Sequence, residues 1–169
     1  LGLSGMFLNL KGREASGIVE PGEEAAALKA ELVSRLSGLK DEEKGALGIT
    51  ELFETARLYQ GPYLEGAPDF VVGYADGYRA SWDCATGVVA GPVFEDNLTA
   101  WSGDHCVDPR LVPGIFFCNY PIDRDQPTLV DIAPTALRLF GQKAAAHMDG
   151  HTLFETDPTA KSGDRKAAA

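Results

Sequence analysis

The 169 residues suffice for one domain able to bury a proper core without metal or disulfide staples, and neither the 44% hydrophobic nor the 24% charged content suits a disordered or membrane-spanning chain. Fifteen Lys and Arg against 25 Asp and Glu leave a net charge of -10, which repels a phosphate backbone and argues against a nucleic-acid-binding surface. Nothing in the sequence reads as a membrane segment, and Cys84, Cys106 and Cys118, an odd count without C-x-x-C spacing, read as buried free thiols rather than a disulfide framework.

Residues Leu3 to Leu10 are short and apolar and read as a strand, and a start inside such a segment reads as a cut within a larger protein. The first helix follows. Pro21 suits a first turn, Glu23 and Glu24 suit the positive helix end, Leu28, Leu32, Val33 and Leu36 share a face, and Gly38 is a plausible stop. Leu47, Ile49 and Phe53 at odd positions, interrupted by Thr50, suggest a strand with a short helical turn after it, through Arg57. Phe70 to Tyr74 and Tyr78 to Trp82 read as two strands joined at Asp76-Gly77, a strong hairpin signal.

From Gly87 to Pro113 the chain has no strong periodicity, and long irregular loops on a rigid scaffold are where function concentrates. This loop carries Trp101-Ser102-Gly103-Asp104-His105-Cys106-Val107-Asp108-Pro109, with a hinge-like glycine ahead of a carboxylate, an imidazole and a thiol. A neutral imidazole is the commonest transition-metal ligand, so His105 is the candidate site, whereas Cys106 lacks any local hydrolase signature and reads as packing. Gly114 to Cys118 then reads as a buried strand, which would put His105 on the loop entering it. Thr128 to Phe140 reads as a helix with Thr128 as N-cap, a face made by Leu129, Ile132, Ala133, Ala136, Leu137 and Phe140, and a restart or kink near Pro134. Residues 155 to 169 read as a mobile polar tail.

Three stretches together resemble a known family: Gly103-Asp104-His105, the Asp131-Ile132-Ala133-Pro134-Thr135 helix, and Met148-Asp149-Gly150-His151-Thr152-Leu153-Phe154, read as a strand. They resemble the C-terminal end of the alkaline phosphatase superfamily, most of all its type I phosphodiesterase and nucleotide pyrophosphatase branch. Upstream, Leu8 to Glu14 and Gly73 to Arg79 extend the resemblance to residues 1 to 154. It implies an α/β fold, with a central sheet, covering helices and an inserted hairpin region. It also implies a hydrolase of phosphodiester or nucleotide substrates that uses two zinc ions and a Thr or Ser nucleophile.

On that resemblance His105 stands at a zinc-ligand position, and Asp104, the variable middle residue of its motif, has a loop-shaping or outer-sphere part at most. The family's nucleophile and earlier Asp and His ligand motifs have no counterpart in this chain, and one histidine cannot hold catalytic zinc, which needs about three protein ligands. His147 and His151 have helical-pair spacing, but Gly150 between them argues against a metal pair. The expectation is a C-terminal portion, inactive alone, completed by a missing N-terminal part of the same fold. The alternatives are a noncatalytic ligand- or partner-binding domain using the Gly73 to Trp82 hairpin, and a sulfatase-like or phosphoglycerate-mutase-like member of the superfamily.

Overall fold

A computed structural model describes residues 4–87, 91–101 and 103–154; Ser102 and the expected tail at 155 to 169 lie outside the described residues. The chain is a small mixed α and β protein that divides into two units, one ending at Pro113 and one beginning at Gly114. Among the described residues no helix is long and apolar enough to cross a membrane.

In the first unit, helix α1 (Glu23–Leu36) forms where expected, with Glu23 and Glu24 in its first turn and Arg35 in its last. Gly38 ends it at φ 76°, a left-handed conformation that other residues adopt only under strain. Leu28, Leu32, Val33 and Leu36 pack against a core of Leu8, Val19, Ala25, Leu52, Phe70 and Val72.

The sheet is antiparallel. Strand β1 (Gly5–Met6) is much shorter than the expected Leu3 to Leu10, and the short pair β2 (Lys40–Asp41) and β3 (Ala46–Leu47) stands apart from the main sheet. β4 (Ile49–Glu54) runs directly into α2 (Thr55–Leu58), and β5 (Phe70–Tyr74) lies between β1 and β4. Pairing jumps from Ile49↔Tyr74 to Glu51↔Gly73, so Thr50 is the extra residue of a bulge. The bulge breaks the two-residue alternation, so Ile49 and Leu52 both serve the core, while Phe53 is only half-buried.

Three expected strands do not form, two of them at Tyr78 to Trp82 and Gly114 to Cys118. Tyr78 to Trp82 follows the Asp76-Gly77 turn, where the Tyr78 N–H donates to the Ala75 carbonyl, but makes no strand. Both edges of β5 are already taken: β4 holds one, and on the other β1 pairs with Phe70 and Val71, the Val72 N–H donates to Ser4 and the Tyr74 carbonyl accepts from Asp108. The chain turns into a short helix α3 (Asp83–Thr86) instead, and the hairpin expected as a binding surface is absent. Gly114 to Cys118 is likewise irregular and exposed; among the described residues of the second unit no strand offers it an edge.

The second unit is built on α4 (Ile132–Leu139), preceded by a 3-10 turn at Leu129–Asp131. Pro134 lacks an N–H and sits where the first turn of α4 needs none, so the restart falls ahead of it rather than at it. Leu129, Ile132 and Phe140, expected on the packed face, are exposed, and Asp131, Pro134 and Thr135 are buried in their place. The Met148 to Phe154 segment is held in an irregular conformation rather than as a strand, with Leu153 and Phe154 buried.

Candidate functional site

The loop around His105 is tied down on both sides of the histidine. On the upstream side, Asp104 Oδ1 accepts the backbone N–H groups of His105 at 2.7 Å and Cys106 at 2.9 Å, folding the carboxylate back over its own chain. Oδ2 faces the Arg79 guanidinium at 3.2 Å but is too poorly aligned for a hydrogen bond. Arg79 also donates to the Gly103 carbonyl at 3.3 Å and lies over the Trp82 ring, 4.9 Å from its centroid. The Cys106 N–H, then the His105 N–H and the Arg79 charge, outweigh burial and hold the Asp104 carboxyl below its usual range.

On the downstream side, Asp108 is 1% exposed. Its N–H donates to the Tyr74 carbonyl at the end of β5, and its carboxylate accepts from Thr50 Oγ1 at 2.5 Å and from the Arg110 backbone N–H at 2.9 Å. The Arg110 side chain grips it through Nε at 3.0 Å and a second nitrogen at 2.6 Å. The Thr50 hydroxyl also lies 2.9 Å from the Gly73 carbonyl, but it has one proton, and the shorter, charged contact takes it. The Arg110 guanidinium, then the Thr50 hydroxyl, holds the Asp108 carboxyl well below the carboxylate range despite burial.

Between these ties stands His105, exposed, with no hydrogen bond to its imidazole among the described residues. The ligating atoms of Asp104, His105 and Cys106 lie within 4.8 Å of one another. Only the imidazole suits a metal without rearrangement. Asp104 Oδ1 is occupied by its own loop and Oδ2 is buried against the Arg79 guanidinium, while burial, then the neighbouring carboxylate, pushes the Cys106 thiol up. One suitable ligand falls short of the three that catalytic zinc needs.

The sequence reading needs two corrections here, at Gly103 and at the cysteines. Gly103 has no positive φ and has open space around the position of an added side chain, so the run uses no hinge glycine. None of the three cysteines is buried: Cys84 and Cys118 are exposed and Cys106 is half-buried. His147 and His151 are exposed and lie on no helix. Sequence reasoning also passed over Asp108, Thr50 and Arg110. The signal available was Thr50 itself, a hydroxyl interrupting an apolar alternation, which is how a bulge reads in sequence.

No family model, curated protein or solved structure matches the chain. A groove of about 340 Å³ has Phe53, Leu58, Arg57 and Arg110 in its wall but not His105, and its two guanidinium groups are paired with Glu54 and Glu51, each at 3.0 Å.

Proposed function

We propose that the chain is the C-terminal portion of a zinc-dependent phosphodiesterase or nucleotide pyrophosphatase-like hydrolase of the alkaline phosphatase superfamily, and that His105 is its contribution to the metal site. The observation that carries this reading is the contrast inside one loop: Asp104 and Asp108 are committed to the chain's own backbone and side chains, whereas the His105 imidazole is exposed and uncommitted among the described residues. An exposed imidazole on a tied loop suits a ligand completed from outside.

In such an enzyme two zinc ions would stabilise the attacking and leaving oxygens of the displacement. This chain would supply one imidazole nitrogen and the loop that holds it, while the nucleophile and remaining ligands would come from a preceding part of the fold, together with the rest of the α/β sheet. The chain alone is then expected to hydrolyse a phosphodiester such as bis-p-nitrophenyl phosphate no faster than buffer.

The direct test is a cobalt(II) titration of the chain followed by the ring-proton NMR signals of its three histidines. The His105 signal should broaden at lower cobalt than those of His147 and His151, which serve as exposed references, and the His105→Ala variant should lose the first phase. Equal broadening of all three, or none at His105, would sink the assignment. A reading frame upstream of Leu1 that lacked a Ser or Thr nucleophile and Asp and His ligands would sink the hydrolase reading.

A further inference from the structure

Among the described residues from 91 to 113, only Asp108 is buried. A long loop is ordinarily seated by an apolar side chain, since burying a carboxylate is costly unless all of its hydrogen-bonding capacity is met. Here it is met from three directions. The Thr50 hydroxyl approaches from the bulge of β4, the Arg110 side chain grips both oxygens, and the Arg110 backbone N–H donates to the carboxylate, which thereby caps the 3-10 turn Pro109–Leu111. The backbone N–H of Asp108 is fixed as well, on the Tyr74 carbonyl of β5.

An apolar anchor would fill space and tolerate rotation. A carboxylate held by two guanidinium nitrogens and a hydroxyl fixes direction as well as position. Gly73 and Thr50 fit the same arrangement: a side chain on Gly73 would come within 2.9 Å of Thr50 Oγ1, so the glycine leaves room for the hydroxyl to reach the loop. Two residues separate this anchor from His105, and the Asp104 tie lies immediately on its other side.

We propose that Asp108, seated on the Thr50 bulge, is a positioning residue that holds the His105 loop in a preformed path, so that the imidazole is presented without a further ordering step. The proposal deepens the metal-ligand reading of His105 and rests on it for what the imidazole is presented to; the ordering itself stands on the Asp108 contacts. A preformed loop spares a ligand the cost of ordering it, and that gain appears as affinity.

The test compares Thr50→Val, Thr50→Ser and Asp108→Asn in the full chain. Amide exchange is read at His105 and Cys106, at β4 and β5 as a control for the fold, and alongside the cobalt titration of the His105 ring. Thr50→Val and Asp108→Asn should speed exchange at His105 and Cys106 by about tenfold, the scale of a lost hydrogen bond to a charged group. Thr50→Ser, which keeps the hydroxyl, should restore protection, and β4 and β5 should keep theirs. The cobalt concentration that half-broadens His105 should rise in the same two variants.

Unchanged exchange at His105 and Cys106 in Thr50→Val overturns the proposal, even if Asp108→Asn proves too unstable to read. Equal loss in Thr50→Ser and Thr50→Val also overturns it, because the hydroxyl would then act only by packing. A wild-type chain whose His105 ignores cobalt defeats the metal reading alone, while the exchange data still decide whether Asp108 orders the loop.

Discussion

Each unit contains a buried carboxylate that organises a loop, and the two are used differently. Asp108 draws its partners from separate elements: Thr50 on β4, Tyr74 on β5 and the guanidinium of Arg110. Asp131 is served by neutral donors. Its Oδ2 accepts the N–H and hydroxyl of Thr128, both at 2.9 Å, its Oδ1 accepts the His151 N–H at 2.8 Å, and the nearest guanidinium nitrogen, on Arg124, is 3.8 Å away. The hydroxyl of Thr135 donates to the Asp131 carbonyl at 2.5 Å and accepts the Leu153 N–H at 3.0 Å. The charge-paired anchor seats a loop that leaves a side chain free. The neutral one is a clip that closes backbone on backbone through Asp131 and Thr135, with Gly150 packed against it.

Glycine substitution should separate the clip from the His105 run most sharply. A Cβ on Gly150 would lie 1.9 Å from the Val130 carbonyl oxygen and 2.4 Å from its carbon, and backbone cannot swing aside as a side-chain end can. Gly150→Ala should therefore remove about 3 kcal/mol from the second unit and abolish amide protection at His151 and Leu153. Gly103→Ala, with open space on all sides, should stay within about 0.5 kcal/mol. A protected Leu153 amide in Gly150→Ala would mean that the clip does not require the close approach.

Acid should open the two anchors in sequence. The His151 and Thr128 N–H groups hold the Asp131 carboxyl down at about 2. A carboxyl with a depressed folded-state pKa contributes stability above its unfolded value, near 4, and loses it as the pH falls toward the folded value. Protection at His151 should thus fade between about pH 4 and pH 2. Asp108, gripped by a full positive charge that Asp131 lacks at short range, should keep its loop contacts through that window. Side-chain carboxyl NMR titration checks the order, and simultaneous protonation of Asp108 and Asp131 would remove the distinction between them.

The parts legible in the sequence were those fixed by local chemistry. Helix α1 followed from two acids and a four-residue apolar stripe, although Pro21 falls just ahead of its first turn, and β5 from a short apolar run. The His105 run drew notice because its donors are adjacent in sequence. What failed depended on partners distant in the chain. Tyr78 to Trp82 has strand character, but the edge it would use is occupied by Met6, Ser4 and Asp108, which no local pattern discloses. Asp108 carried no signal of its own, because its meaning lies in Thr50, on another strand.

The helix α4 offers the smallest and most discriminating effect. Its apolar periodicity predicts that Leu129, Ile132 and Phe140 carry its packing, and a buried Phe cut back to a small residue ordinarily costs about 3 to 5 kcal/mol. Phe140 is instead 81% exposed, and the contacts that hold the helix to residues 151 to 154 come from Asp131 and Thr135. Thr135→Val keeps the shape of the side chain but leaves the buried Leu153 N–H without its acceptor, which should cost about 1 to 3 kcal/mol. Phe140→Ser should stay within about 0.5 kcal/mol, the range of a surface change. The order of the two, read from thermal or urea unfolding of the chain, is the reverse of what the amphipathic pattern implies. If Phe140→Ser proved the costlier, the apolar face of α4 would be packed in solution and the polar clip would be secondary to it.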